Sequence, residues 1–501
     1  MTELERDQEM RFEVLKAVLG EGAAARLGQL ALPKRNRIET PNFLAVTSRG
    51  VVPHLTPDNV AKHGGFGGSY MALEDFIERA QKTPNRTAPV FLTPVSGDKR
   101  RLHAFTSLPS SHITVLGARR NPAVKSTLGN GNNFISVFTS TGFQSLTTEE
   151  YISAVETLRP DIAIPLADIN YSSATTQTAK RGLRQAERTE DWMVDWCRSF
   201  DRDSLKADGD DIAVFAPTLP VPYSIQWEYL SRLSEDDILS SLSGLAIYDV
   251  DIAADLGSHP PLLPLPRLSL QPPSSPHHIL RQISLGIDLL LVPFVNSVSD
   301  AGVALTFTFP PLPSSSSSSP DEPLPLGIDL SLPEHKVSMQ PLSPGCTCYA
   351  CTSHHRAYLH HLLSAREMLA WTLLQLHNHA VLSAFFAGVR ASLVAGHDQF
   401  ERDSRAFTLA YEAEVPAGMG TRPRARGYHF KSEGGEAKMN GPAWGRLGGD
   451  GGQDQALGKV VGVADGGVLP RDMTETPVLP DVGAMELEKE GFAEIDKGQP
   501  T

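Results

Sequence analysis

The 501-residue chain of 54.3 kDa is 41% hydrophobic and 21% charged, the balance of a folded globular protein and not of a fibrous or wholly disordered one. Lys and Arg total 45 against 58 Asp and Glu; the resulting formal charge of −13 opposes autonomous binding to a phosphate backbone. No stretch approaches the roughly 20 uninterrupted apolar residues of a membrane span. The acidic start MTELERDQEMRFEVL lacks the order of a signal or transit peptide, so a cytosolic address without a transmembrane segment is expected.

Short β-rich runs recur along the chain with helical stretches between them: HITVLG (112–117), NFISVFT (133–139), DIAIPLAD (161–168), DIAVFAP (211–217), GLAIYD (244–249) and GIDLLLVPF (286–294). At least five such βα units predict an α/β fold of the TIM (β/α)8 barrel type, a doubly wound open sheet being the structural alternative. The barrel is expected over 1–340. Two Pro/Ser-rich segments, HPPLLPLPRLSLQPPSSP (259–276) and PPLPSSSSSSPDEPLPL (310–326), read as mobile surface insertions near 255–276 and 310–340. Residues 352–387 contain neither Pro nor Gly, and Leu359, Leu362, Leu363, Leu369, Leu373 and Leu376 follow a helical stripe, which predicts one long amphipathic helix. The C-terminal extension 401–501 turns Gly-rich and then acidic, with disorder expected beyond about 430.

Three of the four cysteines, Cys346, Cys348 and Cys351, form CxCxxC, whereas Cys197 stands apart among WMVDWCRSF and reads as a buried core thiol. In a cytosolic chain such clustering speaks for metal and against a disulfide framework. Three thiolates leave one vertex of a tetrahedral zinc ion open; His354, His355, His360, His361, His377 and His379 are candidates that spacing does not separate. A closed, structural site over 341–400 is expected, with one Zn2+ per chain, because three thiolates and a water would be an unusual hydrolytic set.

The run CTCYACTSHHRAYLHHLLSAREMLAWTLLQLHNH resembles the zinc subdomain of tRNA-guanine transglycosylases, and IETPNFLAVTSRGVVPHLTPDNV (38–60) and GIDLLLVPFVNSVSDAGVALTFTF (286–309) resemble that family's first strand and its penultimate barrel segment. The resemblance, over about residues 10–395, implies Cys346, Cys348, Cys351 and His377 as zinc ligands. It also implies a TIM barrel that exchanges guanine at a tRNA wobble position, for queuine in eukaryotes, with one Asp attacking the ribose and a second handling protons.

The sequence departs from the family at those positions. Against the family's Asp-Ser-Gly-Gly-Phe-Gln stands Thr139-Ser140-Thr141-Gly142-Phe143-Gln144. Against its Gly-x-Asp-x-Phe-Asp stands Gly286-Ile287-Asp288-Leu289-Leu290-Leu291, so Thr139 and Leu291 occupy the two catalytic Asp positions. The purine-reading Gln-Gly-Gly is matched by Ala216-Pro217-Thr218. The base-binding Asp is matched at best by Asp168, and the glycine beside the base pocket by Gly244. The pattern resembles the family's non-catalytic accessory subunits, which implies no catalytic residue, a heterodimer with a catalytic subunit and tRNA bound through the complex. It also allows peripheral attachment at the mitochondrial outer membrane. The alternatives are an active enzyme whose nucleophile has moved, to Asp288 or Asp249, and a zinc-stapled scaffold without a tRNA role. Three basic clusters are candidate RNA contacts: Lys99, Arg100 and Arg101; Arg119 and Arg120; and Lys180, Arg181, Arg184 and Arg188.

Overall fold

The computed structural model describes residues 10–16, 24–77, 88–95, 100–124, 129–140, 142–171, 178–200, 211–312 and 323–419. In chain order the strands are β1 (Arg11–Lys16), β2 (Leu27–Ala31), β3 (Ile38–Thr40), β4 (Asn42–Val46), β5 (Gly68–Ala72), β6 (Ile113–Gly117), β7 (Phe134–Thr139) and β8 (Gly142–Thr147), followed by β9 (Ile162–Ala163), β10 (Ala213–Pro217), β11 (Gly244–Ile247), β12 (Arg267–Ser269), β13 (Leu289–Leu291), β14 (Val303–Leu305) and β15 (Gly327–Asp329). β4, β5, β6, β9, β10, β11, β12 and β13 pair in parallel and close into an eight-stranded barrel, which excludes the open sheet.

The two-residue period of a strand accounts for this architecture. Leu44, Val46, Val115, Ile164, Phe215, Leu268, Leu289 and Leu291 point inward and fill the barrel. Their neighbours Phe43, Ala45, Leu116, Val214, Leu245 and Leu290 point outward against the helices. Both faces are buried, so the strands read as nearly continuous apolar runs. The antiparallel sheet β1-β2-β3 adds Leu30 and Ile38 to the interior from the N-terminal end of the barrel, where Asn36 donates to Ser111 O.

Four expectations are corrected. The run 133–139 is β7, paired antiparallel with β8 in a hairpin outside the barrel; its partner follows immediately in sequence, and Gly142 at φ +106° admits the tight connection. The Pro-rich stretch 259–276 is no loose insertion. It carries barrel strand β12, whose three residues are free of Pro, and Arg26 holds the approach to it through Leu263 O at 2.7 Å and Leu265 O at 2.6 Å. β13, expected as a penultimate strand, closes the barrel against β4, with Leu291 opposite Leu44. Finally, 352–387 is not one helix. It divides among Tyr349–Ser353, Arg356–Ser364 and Met368–Ala395, because His355 caps the second and Arg366 at φ +55° turns the chain before the third.

Met368–Ala395 is long and apolar enough to cross a bilayer by composition, with half of its most apolar stretch buried. Leu373, Leu374, Leu382, Phe385 and Phe386 pack it into the protein as a core helix. At Gly388 the backbone of this helix lies so close to Phe309 O that a Cβ would stand 1.9 Å away, and only Gly fits. Of the second Pro/Ser segment, 313–322 lies outside the described residues; Leu324 beyond it is tied to the end of the helix His397–Ala410 by Leu324 N–Ala410 O. The expected disorder beyond about 430 also falls outside them.

Candidate metal centre and barrel mouth

The loop opened by Gly345, at φ +75°, and the helix Met368–Ala395 bring the donor atoms of Cys346, Cys348, Cys351 and His377 within 4.8 Å of one another. His377 Nδ1 lies 3.7, 3.5 and 3.3 Å from the sulfurs of Cys346, Cys348 and Cys351. Zinc–sulfur and zinc–nitrogen bond lengths give a tetrahedral edge of roughly 3.6 Å between such atoms, so the spacing suits that geometry. His377 Nε2 donates to Leu305 O at 2.8 Å at the end of β14, which orients the ring and turns Nδ1 toward the thiols. Hydrogen bonds with Cys346 and Cys348 pull the Cys351 thiol down, whereas those with Cys346 and Cys351 push Cys348 up. Burial opposes charge on His377, but its bonds to Cys346 and Cys351 hold the imidazole up at about 9. Four donors competing for protons in a half-buried pocket form a set that a divalent cation satisfies.

The other histidines are engaged elsewhere. His360 Nδ1 bonds Leu330 O, His379 Nδ1 bonds Gln375 O, His355 caps its helix by accepting from Tyr358 N, and His354 stacks on Tyr358. His361 is exposed.

At the barrel itself, Leu291 is fully buried within the interior hydrocarbon. Thr139 is 1% exposed at the end of β7, and its hydroxyl donates to Gly142 O across the hairpin turn. Asp288 precedes β13 at the N-terminal end of the barrel, away from the C-terminal rim where barrel enzymes carry their chemistry. It is fully buried, paired with Arg26 and accepting from Arg267 N at 2.7 Å. Asp249 caps the short 3-10 helix Val250–Ser258 by accepting from Asp251 N. Asp288 is thus tied up in its ion pair, and Asp249 Oδ1 is engaged in the helix cap. Gly244 also sits at the N-terminal start of its strand and not beside a pocket: a Cβ there would meet the Phe215 ring at 2.7 Å. Ala216 and Pro217 end β10; Pro217 O takes the Tyr229 hydroxyl, and Thr218 N bonds Ala246 O.

Asp168 is 3% exposed, and both carboxylate oxygens are occupied, Oδ1 by Asn130 Nδ2 at 2.7 Å and Oδ2 by Arg188 at 2.8 Å. Around it lies a group of which sequence reasoning named Arg119 but not Tyr70, Asn130 or Tyr171. Arg119 stacks on Tyr171, 5.3 Å from the ring centroid, and donates to Ile169 O, Ser136 O and Asn130 Oδ1, while Tyr70 OH donates to Arg119 O. Burial pushes the Tyr171 hydroxyl up to about 12 and those of Tyr70 and Tyr248 well above their ordinary value, so all three stay neutral. The signal was the GARRNP run (117–122), where a strand ends on two adjacent cations.

The basic clusters divide sharply. Arg100 is 6% exposed, donating to Pro160 O and Asp211 O and paired with Asp161; Arg101 donates to Phe91 O. Lys99 lies outside the described residues. Arg119 turns inward, and Arg120 pairs with Glu74 and Asp75. In the third cluster Arg188 is held by Asp168, whereas Lys180 and Arg184 are exposed. Cys197 is half-buried against the core, and burial pushes its thiol up, as befits packing and not attack.

Comparison with known proteins agrees with this geometry. Residues 21–413 match the family described as queuine tRNA-ribosyltransferase. The chain is 34% identical to queuine tRNA-ribosyltransferase accessory subunit 2 of Schizosaccharomyces pombe, over 85% of this chain and 90% of that one. It is 28% identical to the protein of the same name from Drosophila grimshawi, over 75% and 87%, and 28% identical to that from Culex quinquefasciatus, over 73% and 85%. With a closed barrel, a Cys3His cluster and a match across most of its length, the chain belongs to the queuine tRNA-ribosyltransferase family.

Proposed function

We propose that this chain is the non-catalytic subunit of a heterodimer that exchanges guanine for queuine at position 34 of tRNAs with GUN anticodons, supporting dimerisation and tRNA binding. One observation carries the reading: Leu291, where the resemblance expects the nucleophile, lies in barrel hydrocarbon, and a leucine offers no lone pair for a ribose carbon. Thr139, with no carboxylate and its hydroxyl spent on Gly142 O, supplies no base in compensation. We assign Zn2+ to Cys346, Cys348, Cys351 and His377, one ion per chain, since soft thiolates and an imidazole at these spacings suit it. Filled by four protein ligands, the ion would have a structural role: it ties the Cys loop to the helix Met368–Ala395 beside β14. The cell compartment belongs to the same proposal, cytosolic with peripheral attachment at the mitochondrial outer membrane.

The test is a base-exchange assay with labelled guanine or queuine and substrate tRNA, run with this chain alone, the catalytic subunit alone, and both. The expected result is no exchange by the isolated chain and a stable complex whose exchange exceeds that of the catalytic subunit alone. Exchange by this chain alone overturns the reading, and failure to bind the catalytic subunit favours a scaffold without a tRNA role.

A further inference from the structure

Of the three basic clusters, one leaves three of its four charges uncommitted among the described residues. On the helix Ala179–Ser199, Lys180, Arg181 and Arg184 make no side-chain hydrogen bond or ion pair with any described residue. They line a cavity of about 290 Å³ together with Asn130, Asp168 and Arg188. Asp168, the only carboxylate among the described lining residues, is already neutralised by Arg188 at 2.8 Å, so the remaining charge of those residues is that of three cations. Three unpaired cations around one concavity are out of keeping with a chain of net charge −13, whose other described basic clusters are consumed by its own carboxylates and carbonyls.

The chemistry of the wall selects the ligand. Two guanidinium groups and an ammonium favour an anion with several acceptor oxygens, and a planar guanidinium fork suits phosphate. The helix amides add little, because Thr178 already caps Arg181 N and accepts from Gly182 N. The side chains must therefore do the binding. Position separates a polymer from a free ion. Asp168 follows β9, so the cavity lies on the C-terminal rim of the barrel, the side on which a barrel of this kind meets its substrate. Lys180 and Arg184 are exposed at its edge, able to hold successive phosphates along a strand.

We propose that this cavity clasps phosphodiesters of the tRNA backbone, so that the inactive barrel grips RNA beside the place where a working one would cut the glycosidic bond. The inference rests on the heterodimer reading above and adds to it the element that holds the RNA.

The test uses the assembled heterodimer and a full-length tRNA transcript. Affinity is measured across a salt series for the native complex, for K180A/R181A/R184A and for the charge-retaining R181K/R184K, with complex formation checked by gel filtration and zinc content measured. The expected result is an assembled, zinc-loaded triple variant that binds tRNA about tenfold or more weakly. Its slope of log affinity against log salt should be shallower by about one per lost contact, roughly two to three in all, with the lysine variant close to native. An assembled triple variant with unchanged affinity and slope overturns the inference and leaves the heterodimer reading standing. Absence of a complex, or a native subunit that adds nothing to tRNA affinity, sinks the heterodimer reading and this one with it. In a separate arm, inorganic phosphate is tested for thermal stabilisation of the isolated chain. Stabilisation that the triple variant loses while its tRNA salt slope stays native marks a small-anion site and also overturns the proposal.

Discussion

Leu291 shows what a single residue decides. Restoring an aspartate there is expected to fail twice. The carboxylate enters an interior lined by Leu44, Leu289 and Leu268, so it must ionise in hydrocarbon or remain protonated, and the cost is about 3 to 5 kcal/mol. The substitution also leaves Thr139 without a carboxylate and Asp168 bound to Asn130 and Arg188. Leu291→Asp should therefore lower the denaturation midpoint without producing labelled-guanine exchange by the isolated chain. Detectable turnover by that variant would refute the view that the rest of the site has been dismantled. At this scale the sequence was highly legible, because a Leu in place of an Asp is a difference of element type and needs no coordinates. The role of Asp168 was not legible. Its partners Asn130 and Arg188 lie 38 and 20 positions away, and only folding brings them to its two oxygens.

Among the elements, the metal cluster matters most for mechanics. The Cys loop, the helix Met368–Ala395 and β14 meet at His377, whose two ring nitrogens face the sulfurs and Leu305 O respectively. His377→Ala removes one of the four clustered donors and one hydrogen bond to a strand end. Metal affinity should fall by at least the tenfold to hundredfold typical of losing even an outer partner of such a site. Elemental analysis after dialysis against a chelator should show zinc lost from the variant and kept by the native chain, together with weaker heterodimer formation on gel filtration. Zinc retained at native content would remove His377 from the ligand set. The CxCxxC spacing announced this site in one dimension, but the choice among six histidines needed the family resemblance and then the fold. Other elements misled for physical reasons. Phe134–Thr139 has the β-branched and aromatic content of a barrel strand, yet its partner is local and antiparallel. Strand β12 hides among prolines because three residues suffice when both neighbours are already aligned.

For the whole molecule, three buried histidines set a limit on the acid side. His103 sits against Asp161 and His112 O, His112 against Ser69 Oγ, and His379 beneath Phe66 and Phe43. Burial lowers all three from the ordinary 6.5, His112 and His379 to about 4. Since the unfolded chain takes up these protons at higher pH than the folded one, their contribution is intact above about 6.5 and is lost as pH falls toward 4. Each of His112 and His379 then accounts for a loss on the order of 3 kcal/mol. Urea midpoints measured from pH 7.5 down to 4.5 should fall steadily below about 6.5 and stay level above it, whereas a flat profile across the whole range would show that these imidazoles are solvated.

The side chains at the barrel mouth carry a historical consequence. Arg119, Tyr70, Asn130 and Arg188 each hold a neighbouring backbone or carboxylate group in place, so the side chains at the mouth serve the fold. A descendant regaining one catalytic group would first lose stability and gain no turnover, and only several coincident changes would bring any return. Selection, which acts on one step at a time, would meet the loss of stability before any gain in turnover.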